Sequence, residues 1–344
     1  MNPTNESPTK PHRGRWLRFS LRSFMVLIVL LSVPLAWLGQ KHARMRIEDE
    51  VVDMILAAEG TVIYPHQKEA SQDGGFYKSS KNPAPGPKWI RNILGENLFA
   101  SVQYVWLTND QVDDELIANL SRLQNLEVVL LNSSSVTDKS IDSLLMVSQL
   151  KELTLDADQV SPQAFNRLRT HPIIESLELF GSLASPGQLK QFEPWPQLKH
   201  LTLHANMARD EDLLPLLSST KLQTLTLNFM PQITLKAPKL LARLDSLEEL
   251  SAIGCSVDDR SVAAIAQMSS LVKLDLFRSD ITDNGLPDLK RLTKLEVLSL
   301  RETAVTVEGL QALQGMKSLK EIIVSRNQGI PAGKVGSANV VVNN

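Results

Sequence analysis

The chain has 344 residues, of which 43% are hydrophobic and only 5% aromatic, so its core must be aliphatic. The net charge of −2 conceals an asymmetry, because residues 1–39 carry five basic residues and one acid, which leaves 31 basic and 37 acidic residues, or −6, for the rest. A mildly acidic body argues against nucleic acid as the main partner, since phosphate binding needs clustered positive charge. The single cysteine, Cys255, excludes an internal disulfide.

The N-terminus changes abruptly from polar to apolar. Residues 1–15 are rich in Pro, Thr, Asn and Arg and have no apolar period, which predicts a disordered basic arm. Residues 24–38 have the uncharged sequence FMVLIVLLSVPLAWL. These residues are fewer than the roughly 20 that cross a bilayer, but Trp16 and its apolar neighbours extend the segment while Arg18 and Arg22 can snorkel. We therefore predict a transmembrane anchor over residues 16–39.

Two other interpretations of this segment stay open, a buried core helix and a cleaved signal peptide. Basic residues on both flanks disfavour the first. The second is disfavoured because a cut after Gly39 or Ala43 places Trp37 or Lys41 at −3, where small residues are preferred. Positive charge favours the cytoplasmic side, and it is concentrated ahead of the segment. This predicts a single-pass membrane protein with a cytoplasmic N-terminus and an extracytoplasmic body.

Residues 40–100 are predicted to form a stalk helix and an N-terminal cap. Apolar residues recur at helical spacing over 43–59, and Gly60 is suited to end that helix. A short strand is expected over 61–64, an irregular loop over 65–88, and a short helix that begins near Trp89 and ends at Gly95. A solenoid needs such a cap, because its first repeat would otherwise expose an apolar face.

From residue 101 to residue 327 one unit recurs about every 24 residues. Its opening Leu-x-x-Leu-x-Leu starts at Val102, Leu126, Leu150, Ile174, Leu198, Leu222, Leu247, Leu271, Leu295 and Leu319. The step is 24 residues throughout, except for one of 25 between Leu222 and Leu247. Ten copies in phase predict a solenoid of fixed period.

Each unit combines a strand pattern with a helix start. Positions one, four and six are aliphatic, as in Leu271, Leu274 and Leu276, and the spacing of the last two predicts a strand with one buried face. Position twelve is usually Asp, Thr or Ser, which can cap a helix. Position thirteen is usually Asp or Pro, which suits the first helical turn. The unit is therefore a strand, a turn and a short capped helix.

This unit resembles the leucine-rich-repeat family, whose pattern LxxLxLxxTxVTDxGLxxLxxL is met most closely by LKELTLDADQVSPQAF, LVKLDLFRSDITDNGL and LEVLSLRETAVTVEGL. The layout of basic arm, anchor and repeats is also similar to membrane-anchored bacterial proteins of this family that mostly lack an assigned function. The resemblance implies an α/β fold, a curved right-handed solenoid with a parallel sheet on the concave side and short helices on the convex side. It also implies protein ligands in the concavity.

The copies that depart from the pattern predict local irregularity. Those that start at Ile174, Leu198 and Leu222 lose the Thr-Asp turn, and the longer step falls near Met230 and Pro231. We expect a bulge or a straighter outer segment there. Residues 328–344 are predicted to form a C-terminal cap, with an edge strand at 340–342 that shields the last repeat.

Two chemically suggestive features receive structural interpretations from the repeat register. Cys255 occupies position nine, where other copies hold small residues that bond the turn backbone. His200 and His204 have the spacing of a helical metal site, but on a strand they stand about 13 Å apart, because each residue advances roughly 3.3 Å. We therefore predict neither a reactive thiol nor a shared metal ion.

Positions three, five and seven of each unit should face the concavity. The predicted partner-binding residues in the middle of the array are His200, Thr202, His204, Thr224, Thr226 and Asn228. At its N-terminal end they are Tyr104, Trp106, Val128 and Leu130, an exposed apolar patch unless residues 65–88 fold over it. An ordinary solvated face is the alternative for the middle residues.

The sequence contains no evident nucleophile–base pair, phosphate-binding glycine loop or paired metal motif, so we predict no catalytic residue, cofactor or metal. The leading hypothesis is a non-enzymatic, membrane-tethered module that binds a protein or a cell-surface polymer through its concave face. The alternative is a structural or spacer protein of the cell envelope without a discrete ligand.

Overall fold

The computed structural model describes residues 21–69, 78–79, 82–95, 97–133, 135–156, 159–181, 185–204, 207–215, 221–236 and 244–343. The predicted basic arm, residues 1–15, lies outside this range, as do residues 16–20 of the predicted anchor. The chain forms two compact units, Met1–Arg46 and Ile47–Asn344, and each is described by itself.

One long helix, α1 (Leu21–Ala57), replaces the successive anchor and stalk that the sequence predicted, and it continues through Pro34. In its N-terminal part the large apolar side chains between Met25 and Trp37 are 42–69% exposed. By length and composition α1 is the one helix, within the part of the chain that the structure describes, that could cross a membrane. A signal sequence passes the same test.

The second unit is built on a 13-stranded sheet in which each of the ten repeats supplies one strand. These ten strands lie side by side in parallel. They are β4 (Tyr104–Leu107), β5 (Val128–Asn132), β6 (Glu152–Asp156), β7 (Ser176–Phe180), β8 (His200–His204), β9 (Thr224–Asn228), β10 (Glu249–Ile253), β11 (Lys273–Asp275), β12 (Val297–Ser299) and β13 (Glu321–Ser325). The predicted solenoid is confirmed.

The remaining strands lie at the two ends. At the N-terminal end β1 (Thr61–Ile63) pairs antiparallel with β4, and β2 (Lys68–Glu69) and β3 (Lys78–Ser79) form a separate hairpin. At the C-terminal end β15 (Ala338–Asn343) pairs parallel with β13 and antiparallel with β14 (Gly333–Val335). The predicted final edge strand therefore exists, but β14 is the edge, because the hairpin places it outside β15.

Short helices follow the strands, and leucines fill the space between the two layers. After α2 (Lys88–Leu94), which ends at Gly95 as predicted, the repeats contribute α3 (Asp114–Asn119), α4 (Asp138–Leu144), α5 (Pro162–Leu168), α6 (Pro186–Leu189), α7 (Asp259–Ile265) and α8 (Val307–Leu310). Turns of 3-10 helix span Pro65–Gln67, Leu120–Arg122, Asp210–Leu213, Leu286–Arg291, Gln311–Leu313 and Arg326–Gln328. The three leucines of the clean copy, Leu271, Leu274 and Leu276, are at most 1% exposed.

An aspartate ladder joins the helix starts of successive repeats. The carboxylate at position thirteen accepts hydrogen bonds from a Thr or Ser in the turn of the next repeat, as Asp259 does from the backbone N (2.9 Å) and Oγ1 (2.7 Å) of Thr282. The ladder consists of Asp114, Asp138, Asp210, Asp259 and Asp283. Charged acceptors make stronger hydrogen bonds than neutral ones, so the ladder fixes one repeat against the next.

The middle repeats are joined differently. Position thirteen holds Pro162 and Pro186, which have no carboxylate. There the rings of Phe165 and Phe192 stack at 4.2 Å between centroids, and Trp195 meets Phe165 edge-on at 5.5 Å. All three side chains are at most 3% exposed. An aromatic cluster therefore takes the place of the carboxylate link where Pro162 and Pro186 occupy position thirteen.

The extra residue of the 25-residue step lies in the turn after β9. Strands β9 and β10 stay in register there, with Leu225 opposite Leu250. Asp210 still reaches the backbone N and Oγ1 of Thr234, one position later than in the other ladder pairs. The predicted bulge is therefore confined to the turn, while residues 237–243 lie outside the described range.

The N-terminal cap packs against the last turns of α1. Val51 and Ile55 are fully buried, and the backbone N of Val102 donates to Glu48 at 2.7 Å. A Cβ on Gly60 would stand 2.6 Å from Leu107 Cδ2. Glycine is therefore required here for the close approach of helix end and sheet.

Candidate partner-binding surface

The pleat of the strands decides which side chains form the open face of the sheet. Along β8, Leu201 and Leu203 are fully buried, while His200, Thr202 and His204 alternate with them and are half-buried. Because successive strand residues point to opposite faces, positions three, five and seven of all ten repeats share this open face, as predicted.

A depression of about 540 Å³ crosses the open face from β4 to β10. It is lined by Trp106, Val128, Leu130, Glu152, Leu153, Thr154, Ser176, Glu178, Thr202, His204, Thr226, Asn228 and Ile253. The structure thus brings seven of the predicted binding residues to one depression, whereas Tyr104, His200 and Thr224 are not among the lining residues. None of the described residues that line it is Lys or Arg.

At the centre of the depression a hydrogen-bonded group holds His204 in place. Its Nε2 lies 2.7 Å from Glu178 Oε1, and its ring stacks on Phe180 with centroids 3.8 Å apart. Thr154 Oγ1 donates to the other oxygen of Glu178 at 3.0 Å. A fixed imidazole beside a carboxylate can present hydrogen-bonding groups to a ligand in one orientation.

At the N-terminal end of the depression, the predicted apolar patch is less exposed than the sequence indicated. Tyr104 is only 3% exposed and Leu130 only 6%, so neither forms part of an exposed apolar patch. Ile63 of β1 stands opposite Tyr104 and is itself fully buried. Because opposed residues of paired strands project to the same face, β1 adds an apolar neighbour that the repeat period does not reveal. Trp106 and Val128 remain half-buried and accessible.

The two histidines do not converge. His204 is bound within the central group, and His200 lies two pleats earlier on the same strand. Among the described residues no group of three or more His, Cys, Asp or Glu is arranged to hold a metal ion.

Cys255 follows the strand β10 as part of a turn. It is 4% exposed, with Sγ 3.5 Å from the carbonyl oxygen of Leu227. Ser279 and Thr303, at the same position of the next repeats, donate to the carbonyl groups of Leu276 and Leu300. Burial raises the pKa of the Cys255 thiol to about 11, so the protonated form predominates and the residue bonds the turn.

Toward the C-terminus the open face is occupied by charges that pair with one another. Lys273 Nζ lies 2.6 Å from Glu249, and Arg301 lies 3.3 Å from Asp275 and 4.9 Å from the centre of the Phe277 ring. The repeat period alone does not show that these charges are paired. Strand register across neighbouring copies would have revealed these pairs, as it would have revealed Glu178 beside His204.

Comparison with known proteins agrees with the geometry. A family model described as "Leucine Rich repeat" matches residues 267–287, within the clean copy. The chain has the leucine-rich-repeat solenoid fold. No curated protein matches its sequence.

Several solved structures are similar to this leucine-rich-repeat protein. An internalin C2 from Listeria monocytogenes has 22% identity over 60% of this chain and 83% of its own, with a TM-score of 0.38. An internalin (inlF) from the same organism has 16% identity over 73% and 88%, with a TM-score of 0.34. TLR13 in a complex with ssRNA13 has 16% identity over 67% of this chain, which spans 41% of TLR13, with a TM-score of 0.41.

Proposed function

We propose that this leucine-rich-repeat protein is a membrane-tethered, non-enzymatic interaction module that binds a protein partner through the open face of its sheet. Leucine-rich-repeat proteins generally mediate protein–protein interaction. The proposal adds the location of the surface and the tether.

The observation that carries the proposal is the depression across β4–β10. Its N-terminal end offers the apolar surfaces of Trp106 and Val128, and its centre offers Glu178 and His204. Partly buried tryptophan is a frequent anchor of binding energy, and a carboxylate without a neighbouring Lys or Arg favours a basic or hydrogen-donating group. A protein segment with an apolar side chain followed by such a group fits this chemistry, whereas the carboxylates repel nucleic-acid phosphate.

The tether is supported by α1. Its large apolar side chains up to Trp37 are exposed within the unit that contains them, and a bilayer would cover them. The charge ahead of them favours a cytoplasmic N-terminus and an extracytoplasmic repeat domain. Protease treatment of intact cells, with mass analysis of the N-terminus, tests this orientation. A mature chain that begins after residue 39 would instead identify a cleaved signal peptide.

Site-specific photo-crosslinking in native membranes tests the binding face. A photoreactive amino acid at Thr226 should give a discrete adduct, and Trp106→Ala or His204→Ala should reduce its yield. Met146→Ala is the matched control, because Met146 is 69% exposed but lies after α4, away from the strand face. Undiminished capture of every partner by both face variants would count against this surface. An adduct with a cell-surface polymer in place of a protein would change the partner class.

The charge pairs at the C-terminal end of the face favour a second candidate, a structural or spacer protein. Lys273–Glu249 and Arg301–Asp275 already satisfy each other and leave that part of the face with little to offer a ligand. If spacing is the function, deleting the anchor abolishes it in cells, whereas Glu178→Lys has no effect. Loss of function in Glu178→Lys would favour the binding module.

A further inference from the structure

The helix α2 presents apolar side chains to solvent. Trp89 is 67% exposed and Ile93 72%. Residues four apart lie on the same side of a helix, so these two form one outward apolar face. An exposed tryptophan beside an exposed isoleucine is costly in water, which indicates a binding surface.

The surroundings of α2 hold this face in a defined position. Arg91 Nη1 donates to the carbonyl oxygen of Ala84 at 2.6 Å, and Gly86, with φ of +93°, lies so close to the Phe99 ring that no side chain would fit. Gly95 ends the helix with its backbone N bonded to the Arg91 carbonyl oxygen at 2.9 Å. The apolar face thus belongs to a helix that is held by specific hydrogen bonds and close packing.

The segment that follows α2 contacts α1 at Glu48. Val102 N donates to Glu48, and Asn97 Nδ2 donates to the Tyr64 hydroxyl at 2.9 Å. Burial and the charges of Glu48 and Asp49 raise the pKa of the Tyr64 hydroxyl. Glu48 follows the apolar residues that end at Leu38 by ten positions of one helix, so this is the end nearer the tether along the chain.

We propose that α2 is a second membrane-contact element, in which Trp89 and Ile93 enter the interfacial layer of the bilayer and Lys88 lies among lipid phosphates. The proposal rests on the tether. Tryptophan favours the membrane interface because its ring is apolar and its N–H is polar. Residues 82–95 contain two basic and no acidic residues, in contrast to the acidic body, and anionic lipid attracts such a segment.

The contact depends on the tether for its strength. Two apolar side chains give only weak partitioning when the protein is free in solution, but an anchored chain holds α2 at high effective concentration beside the bilayer. In this proposal the chain therefore meets the bilayer at two places along its sequence, the N-terminal part of α1 and α2.

Fluorescent labelling of the full-length protein in vesicles of phosphatidylethanolamine and phosphatidylglycerol tests the proposal. An environment-sensitive label is attached to Trp89→Cys or Ile93→Cys, and Met146→Cys is the matched exposed control. Cys255 is buried and protonated, so wild type should take up little label. We expect a blue shift of emission and quenching by brominated lipid at 89 and 93, and neither at 146. Adding Lys88→Glu should reduce the quenching.

The possible failures are distinguishable by flotation of the same vesicles. Protein that floats with the lipid but shows equal emission at 89, 93 and 146 retains the tether and overturns the α2 contact. Protein that does not float refutes the tether and this proposal with it. A blue shift that requires proteins from native membranes identifies α2 as a protein-docking helix and overturns the lipid contact.

Discussion

At position eight of five repeats the backbone turns into the left-handed region, whether or not the residue there is glycine. The φ angles are +52° to +63° at Gly181, Phe229, Gly254, Arg278 and Glu302. For residues other than glycine this conformation costs roughly 1–2 kcal/mol. In these five repeats the turn that ends the strand therefore dictates the backbone conformation, and packing of the whole repeat compensates for the strain. Because three of these five residues are not glycine, the sequence does not reveal that the backbone is left-handed at this position.

His171 predicts a pH dependence of stability. It is 2% exposed, and its Nε2 lies 3.0 Å from the carbonyl oxygen of Val147. Burial lowers its pKa, although that hydrogen bond opposes the shift. Since the folded pKa lies below the unfolded value of about 6.5, the stabilisation from neutral His171 is complete above about pH 6.5 and declines as the pH falls through the folded value.

In thermal unfolding, we therefore expect the decrease in Tm between about pH 7 and pH 5 to be smaller in His171→Gln than in wild type. His200→Gln, which leaves the Val147 contact intact, should keep the wild-type decrease. Equal pH profiles for wild type and His171→Gln would contradict the assignment.

Residue-level predictions from sequence succeeded where the repeat register decides the environment. Position nine predicted the structural role of Cys255, because equivalent residues make equivalent contacts. The prediction failed for the exposure of Tyr104, because its neighbour Ile63 comes from outside the array. The stacking of Phe180 on His204 likewise depends on side chains of adjacent repeats, which a period alone does not specify.

At the scale of the element, the aspartate ladder explains the glycine in the TDxGL part of the pattern. A Cβ on Gly285 would stand 2.6 Å from Oδ1 of Asp259 in the preceding repeat. That same oxygen accepts from the Thr282 backbone N. Glycine thus leaves room for the carboxylate. Gly285 and Asp259 are therefore structurally coupled, although they are 26 positions apart.

A double-mutant cycle in Asp259 and Gly285 tests this coupling. Asp259→Ala should destabilise the protein by about 1–3 kcal/mol through lost charged hydrogen bonds, and Gly285→Ala by about 1–3 kcal/mol through crowding. The double variant should cost at least about 0.5 kcal/mol less than their sum, because no carboxylate then remains to be displaced. Denaturant unfolding measures all three.

Gly187→Ala is the matched control for the cycle. A Cβ there meets nothing within 4 Å, so the substitution should be neutral or stabilise by about 0.4–1 kcal/mol. Strict additivity of Asp259→Ala and Gly285→Ala would show that the ladder does not select the glycine.

At the scale of the whole molecule, the C-terminal cap protects the last repeat. Ile330, Val335, Ala338 and Val340 are at most 6% exposed, and β15 covers the edge of β13. Ending the chain at Gln328 should remove several kcal/mol of apolar burial, at roughly 1.5–3 kcal/mol for each large side chain, and leave an unpaired edge. We expect a lower Tm and association by size-exclusion chromatography, whereas Lys334→Ala should behave as wild type. A monomeric truncation with unchanged Tm would refute the capping role.

The architecture of the array could be predicted because each repeat contacts mainly its neighbours, and a local period then specifies the contacts. For the two ends of the array, the sequence predicts only that a cap must cover the terminal repeat. It does not predict that β1 and β15 provide the caps by strand pairing, because this depends on contacts between distant segments. The continuity of α1 through Pro34 was likewise not predictable.

The two kinds of link between repeats have a consequence for how the length of this array can change. Four of the five ladder junctions pair an aspartate with a Thr or Ser 23 positions later, so a second copy of unit 271–294 would find matching partners at both of its junctions. The aromatic cluster couples Phe165 to Phe192 and Trp195, so a unit inserted between them would separate these partners. Extra copies beside 271–294 would therefore lengthen the array without changing the depression between Trp106 and Asn228.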